Sequence, residues 1–157
     1  MIVFLLLGVI TAGLLWRLFY KIQWSKNIDV KLWFASGAVY AGQETKLYEV
    51  IENRKQMPVP VLEVRFRTRK ELDFTDTENT NVSDYIYKRD VFSILGRQKI
   101  TREIPVKCTK RGKYKVSDAE ITAYSLLYGR HYSKGIETPA ELYVYSKMTD
   151  VSEIMSM

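Results

Sequence analysis

Residues 1–16 read MIVFLLLGVITAGLLW, a run with no charged side chain and only Thr11 polar. Leu18, Phe19 and Tyr20 carry the apolar character past Arg17. About 20 helical residues rising roughly 1.5 Å each span about 30 Å, the thickness of a bilayer's hydrocarbon core. The run therefore predicts one membrane-spanning helix, which constrains the chain more than anything that follows. Arg17 and Lys21 lie at its edge, where long side chains reach toward headgroups. Trp16, Tyr20 and Trp24 are spaced for an interfacial aromatic belt. Residues 1–24 are read as anchor and interfacial flank. The rival is a cleaved signal peptide, which needs basic residues before the run and a small-residue site after it. No Lys or Arg precedes the run and WRLFYKIQW follows it, so an uncleaved anchor fits better. Arg17, Lys21, Lys26 and Lys31 all lie beyond the span, and the positive-inside rule then predicts a cytoplasmic domain on the cell membrane.

After Asn27 the period changes to two. Ile28, Val30, Leu32 and Phe34 alternate with Asp29, Lys31 and Trp33, the pattern of a half-buried strand. Ala41-Gly42-Gln43 predicts a turn into a strand over residues 45–52, whose inward face the pattern does not assign. Residues 53–60 read as a loop, with Pro58 and Pro60 barring the ladder. Leu62, Val64 and Phe66 then face one way, and Glu63, Arg65 and Arg67 the other. Residues 71–84 are acidic and rich in Thr and Asn, a long-loop composition. Strands are predicted over 85–95 and 98–106, a turn at Gly112, and one strand or two over 114–128, with a break near Ser117-Asp118. A tip at 129–135 precedes a last strand over 140–145, where Leu142 and Val144 share a face. The eleven tyrosines suit strands. Short strands at such spacing, with no helical period after residue 27, predict an antiparallel β-sandwich over residues 27–148, without the Cys–Trp–Cys core of an immunoglobulin domain. Residues 149–157 form a tail or linker. With the single cysteine Cys108 no intrachain disulfide can form.

No catalytic constellation emerges. His131 is the only histidine, and a metal site needs several ligands, so neither a metal nor another cofactor is expected. Cys108 lies among Lys107, Lys110 and Arg111, cations that lower a thiol pKa, yet it continues the alternation of Ile104 and Val106 as a buried strand-end residue would. Residues 109–113, TKRGK, lack the spaced glycines of a phosphate loop. Two surface features remain. Lys107, Lys110, Arg111, Lys113 and Lys115 form a basic stretch, open to reading as a solvated turn, an acidic-partner site, an anionic-lipid contact or a nucleic-acid site. The last is the least supported, because Tyr114 alone supplies stacking. Tyr124, Tyr128 and Tyr132, with Leu126 and Leu127, are either core or a partner-binding tip. The formal charge of +6 does not choose among these readings, and no small-molecule substrate is predicted.

Three segments in order resemble the DUF58 family. VYAGQETKLYEVIENRKQMPVPVLEVRF (residues 39–66) is similar to its Gly-Asp/Glu, Asn and Pro-x-Pro stretch, PVKCTKRGKYKVSDAEI (105–121) to its Arg-Gly-x-Tyr segment, and TPAELYVYSKM (138–148) to its closing Val-Tyr strand. Asn53, Pro58, Pro60, Arg111, Gly112, Tyr114, Val144 and Tyr145 carry most of the likeness. Ser146 stands where the family has proline, and AYSLLYG (123–129) replaces an Asp-Pro-Phe-Gly-like step. The resemblance covers the part of the family that precedes a von Willebrand A-like region. It implies an all-β, immunoglobulin-like sandwich behind a membrane anchor and, as partners, other proteins that include a MoxR-type AAA+ ATPase. Together these readings predict a membrane-anchored, non-catalytic interaction module. The alternative is an extracytoplasmic adhesion or envelope-assembly domain.

Overall fold

The computed structural model describes residues 1–24, 26–74, 80–124 and 131–147. Helix α1 (Ile2–Gln23) is long and apolar enough to cross a membrane, and none of its apolar stretch is buried within the protein. At roughly 1.5 Å per residue its 22 residues reach about 33 Å. After it, the described residues form strands, turns and the loops between them.

Strands β1 (Ile28–Phe34), β3 (Glu44–Asn53), β8 (Lys99–Cys108) and β5 (Leu72–Phe74) form one sheet in that order. A second sheet runs β11 (His131–Ile136), β10 (Ser117–Tyr124), β4 (Val59–Arg69), β7 (Tyr85–Ile94) and β6 (Thr80–Val82). The third is β2 (Ala38–Tyr40), β12 (Glu141–Tyr145) and β9 (Gly112–Lys115). Only Val116 separates β9 from β10, and Asp118, at φ 49°, makes the kink that passes the chain from the third sheet to the second. The predicted break near Ser117-Asp118 is this kink. Pairing is antiparallel except between β2 and β12, which lie parallel. Two layers with this order, closed by a parallel strand, make an immunoglobulin-like sandwich.

Period-two burial explains most strands. Val30, Leu32 and Phe34 are buried while Lys31 and Trp33 face out, and Leu62, Val64 and Phe66 turn inward as their alternation requires. The inward face of β3 carries Thr45, Leu47, Glu49, Ile51 and Asn53, three of them polar, and Val50 on the other face is buried as well. No apolar alternation marks such a strand.

Four expectations change. Within residues 71–84 the chain forms β5 and β6: Leu72 and Phe74 flank Asp73 and pair beside Cys108 and Val106, too briefly to show against acidic neighbours. Residues 75–79 lie outside the described region. Part of the predicted tip at 129–135 is β11, an edge strand with little apolar alternation that is ordered by pairing to β10. β2 is three residues long and gives no periodic signal. Pro60 falls inside β4, at an irregularity between Val59 and Leu62 where the register to β7 shifts and a missing N–H is tolerated.

Two apolar clusters fill the sandwich. One holds Leu32, Phe34, Leu47, Phe66, Phe74, Ile104, Val106, Leu142 and Val144. The other holds Trp24, Val30, Ile51, Val59, Leu62, Val64, Ile94 and Ile121. Along β3, Glu49 sits between Leu47 of the first and Ile51 of the second, fully buried. Lys88 and Asp90 on β7 are buried too, and Arg102 on β8 donates to Asp90 at 2.5 Å. Neither Glu49 carboxyl oxygen has a hydrogen-bond partner. Burial first, and then the Asp90 charge, push its pKa up to about 8 against the pull of Arg102 and Lys88.

Candidate partner-binding surface

The strand directions give the sandwich two ends. Ile28 pairs with Asn53 and Glu52 with Lys99, which places the β3–β4 and β7–β8 loops beside the foot of α1. β8 then runs ten residues, roughly 30 Å, to Cys108. The turn that follows, with Lys110 and Arg111, is therefore at the end remote from the helix. Of the readings of the basic stretch, that separation favours an acidic partner over lipid beside the helix.

The five basic residues are all exposed but do not form one patch. Lys107 belongs to the β1-β3-β8-β5 sheet, registered with Glu44 and Asp73. The Lys110 carbonyl accepts from the Tyr114 hydroxyl at 2.8 Å, and Arg111 donates to the Ser146 hydroxyl at 3.4 Å. Lys113 and Lys115 project from β9 and join residues that motif reading did not select. Together with Arg67, Arg69, Tyr85 and Glu141 they line an open cleft of about 500 Å³. The Arg67 guanidinium lies 4.7 Å over the Tyr85 ring and is ion-paired with Asp118. Lys113 pairs with Glu141 at 2.8 Å, while its ammonium stands 5.2 Å from the Tyr143 ring centre. A hydrogen bond from Lys113 holds Glu141 below the usual carboxylate range. Arg69 and Lys115 are exposed beside these pairs. Four cations against one carboxylate, with a tyrosine face, at one cleft suit an acidic surface. The sequence does show Arg65, Arg67 and Arg69 alternating outward; their meeting with Lys113 and Lys115 depends on β4 and β9 converging, which no local pattern encodes.

A second polar cluster lies on the outer face of β4 and β10. Glu63 is buried there, held by Arg65 at 2.8 Å, Arg89 at 2.7 Å and the Tyr124 hydroxyl at 2.8 Å. Burial alone would raise its pKa, but the bonds from Arg89 and Tyr124 and the Arg65 charge keep it below the usual range. Tyr124 is thus half-buried and engaged. Tyr132 stacks on Trp24 with ring centres 6.0 Å apart and packs against the second apolar cluster. Neither is an open contact residue, and Tyr128, Leu126 and Leu127 lie outside the described residues. Of the two readings of these tyrosines, core or partner-binding tip, the partly buried Tyr124 and Tyr132 lean toward the first.

Toward the end of α1, Trp16 and Lys21 are exposed, Arg17 is half-exposed, and Tyr20 falls within the helix. Trp24 departs from the expected belt. It is 8% exposed and belongs to the sandwich core, because α1 ends at Gln23 and the chain turns its indole inward. Cys108 is buried and burial pushes its thiol pKa up, the opposite of what a nucleophile needs. His131 is exposed, 5.9 Å from the Tyr124 ring. Among the described residues no group of three or more His, Cys, Asp or Glu is placed to hold a metal ion.

No family model and no curated protein matches the chain. Solved structures do. A GH20 exo-β-N-acetylglucosaminidase from Vibrio harveyi matches 78% of this chain over 20% of its own length, at 10% identity and a TM-score of 0.50. The CARDB domain of the PF1109 protein from Pyrococcus furiosus matches 78% of the chain and 97% of itself, at 12% identity and a TM-score of 0.48. The seventh ScaB type I cohesin from Pseudobacteroides cellulosolvens matches 78% and 94%, at 14% identity and 0.40. At such identity the likeness is one of fold alone.

Proposed function

We propose that this protein is a membrane-anchored, non-catalytic interaction module that presents a basic cleft to an acidic protein partner on the cytoplasmic side. The observation that carries the reading is the placement of Arg67, Arg69, Lys113 and Lys115 in one cleft far from the foot of α1. Tethering by a span raises the effective concentration of such a surface near membrane-bound partners. The basic residues after the span support cytoplasmic sidedness. The likeness of residues 39–66, 105–121 and 138–148 to DUF58 proteins supports a MoxR-type AAA+ ATPase as the partner and a role in assembly or maturation of other proteins.

The test is a titration of the full chain in lipid nanodiscs with a purified MoxR-type ATPase from the same cells. Binding that weakens at least about tenfold in Arg69→Glu/Lys115→Glu, and less with added salt alone, supports the reading. Binding indifferent to the charge reversal removes the cleft from the account, and no binding removes the ATPase. A reporter fused after Lys147 tests sidedness: activity specific to the outside would overturn the cytoplasmic assignment.

A further inference from the structure

We infer that the anchor-side end of the sandwich is itself a lipid-contact surface, seating Met57 and Leu95 in the interfacial layer of an anionic leaflet. The inference rests on α1 being a membrane span and adds that the sandwich does not hang from it on a free tether.

Three observations carry it. First, the joint is built. Lys55 donates through Nζ to the Gln23 carbonyl at 3.0 Å and to that of Trp24, satisfying carbonyls that a helix end leaves open. The Trp24 ring is packed in the core beneath. Second, the β3–β4 loop runs back along the helix. Met57, Pro58 and Val59 share a small pocket of about 50 Å³ with Trp16 and Phe19, roughly two helical turns before Gln23. If α1 spans the bilayer, Trp16 and Phe19 stand at the headgroup level, and Met57 stands there with them.

Third, Leu95 is tied to that loop. The buried Asn53 donates through Nδ2 to the carbonyls of both Met57 and Leu95, each at 2.9 Å. Arg97 N–H donates to the Lys55 carbonyl at 2.8 Å. Gly96 passes so near the Gln56 backbone that a Cβ there would lie 2.0 Å from its carbonyl oxygen. The two loop tips thus form one rigid surface, from which Met57 at 52% and Leu95 at 63% exposure project. Exposed Lys26, Arg54, Arg97 and Lys99 surround them, with Asp29 and Glu52 paired to Arg54. Isolated apolar tips ringed by cations, level with interfacial aromatics, match a headgroup region and not the contiguous apolar groove that a protein helix would need.

The test uses the full chain with Cys108→Ala and a single introduced cysteine at Met57, Leu95, Ile10 or Lys147, labelled with an environment-sensitive fluorophore. The labelled protein is reconstituted in phosphatidylcholine vesicles with or without phosphatidylglycerol. Spin-labelled lipids quench at headgroup or mid-bilayer depth. The expected result is strong quenching at 57 and 95 by the headgroup quencher, at 10 by the mid-bilayer quencher, and none at 147. Arg97→Glu/Lys99→Glu should diminish quenching at 95 in anionic vesicles only. Quenching at 10 with 57 and 95 in water overturns the lipid-contact surface and leaves the span intact. Loss of quenching at 10 as well overturns both.

Discussion

The two ends of this sandwich are built by opposite means. At the anchor end a fully buried amide, Asn53, ties two loops together, its Oδ1 accepting also from Lys55 N–H at 3.1 Å. At the distal end the comparable amide is Gln43, exposed, whose Oε1 accepts one bond from Tyr40 N–H at 2.9 Å across a turn made by Gly42 at φ 90°. The distal cations face water and one another's counter-charges. The difference teaches where stability and where recognition reside: buried polar hubs fix geometry, whereas half-exposed charges remain available to a partner.

Glu49 lies buried between the two apolar clusters with neither carboxyl oxygen hydrogen-bonded, so ionising it should have the largest effect. Its folded pKa of about 8 lies above the unfolded value of 4.5, so the folded form binds the extra proton between them. The contribution of Glu49 to stability should be full below pH 4.5 and fall by up to about 1.4 kcal/mol per pH unit, levelling off above pH 8. Glu49→Gln should flatten that slope, measured as Tm against pH. A slope unchanged in the variant would assign the pH dependence elsewhere.

Next comes the hub. Asn53→Ala should cost about 3 kcal/mol by leaving buried carbonyls unpaired, against less than about 1 kcal/mol for Gln43→Ala, both read from urea unfolding. Equal costs would erase the contrast between the ends. Gly96→Ala should cost about 2 kcal/mol, because the Gln56 backbone must move to admit a methyl group. The smallest stability effect belongs to the cleft: Arg69→Glu and Lys115→Glu should each change unfolding free energy by no more than about 0.5 kcal/mol while altering partner binding.

Much of the fold is legible in the chain, and the reasons for the gaps are physical. β1, the middle of β4 and β12 announce themselves because apolar residues alternate with polar ones, and α1 because it is apolar on every side. β3 conceals its inward face because Thr45, Glu49 and Asn53 occupy it, and those polar positions form the hub and the dividing layer. β2, β5 and β11 are short or polar and exist through partners distant in sequence. Of the candidate site, Lys113 and Lys115 are visible as charges in a row. Arg67, Arg69 and Tyr85 become their neighbours only through sheet topology. Trp24 reads as an interfacial aromatic, and Tyr132 as either core or tip, because nothing local reveals that the end of the helix folds back onto the core.

The most direct test of the contrast is photo-crosslinking in native membranes, with a photoreactive side chain at Leu95 in one sample and at Lys115 in another. The account predicts lipid adducts from Leu95 and protein adducts from Lys115. Protein adducts from Leu95 together with none from Lys115 would contradict it, reversing which end meets the membrane and which meets a partner.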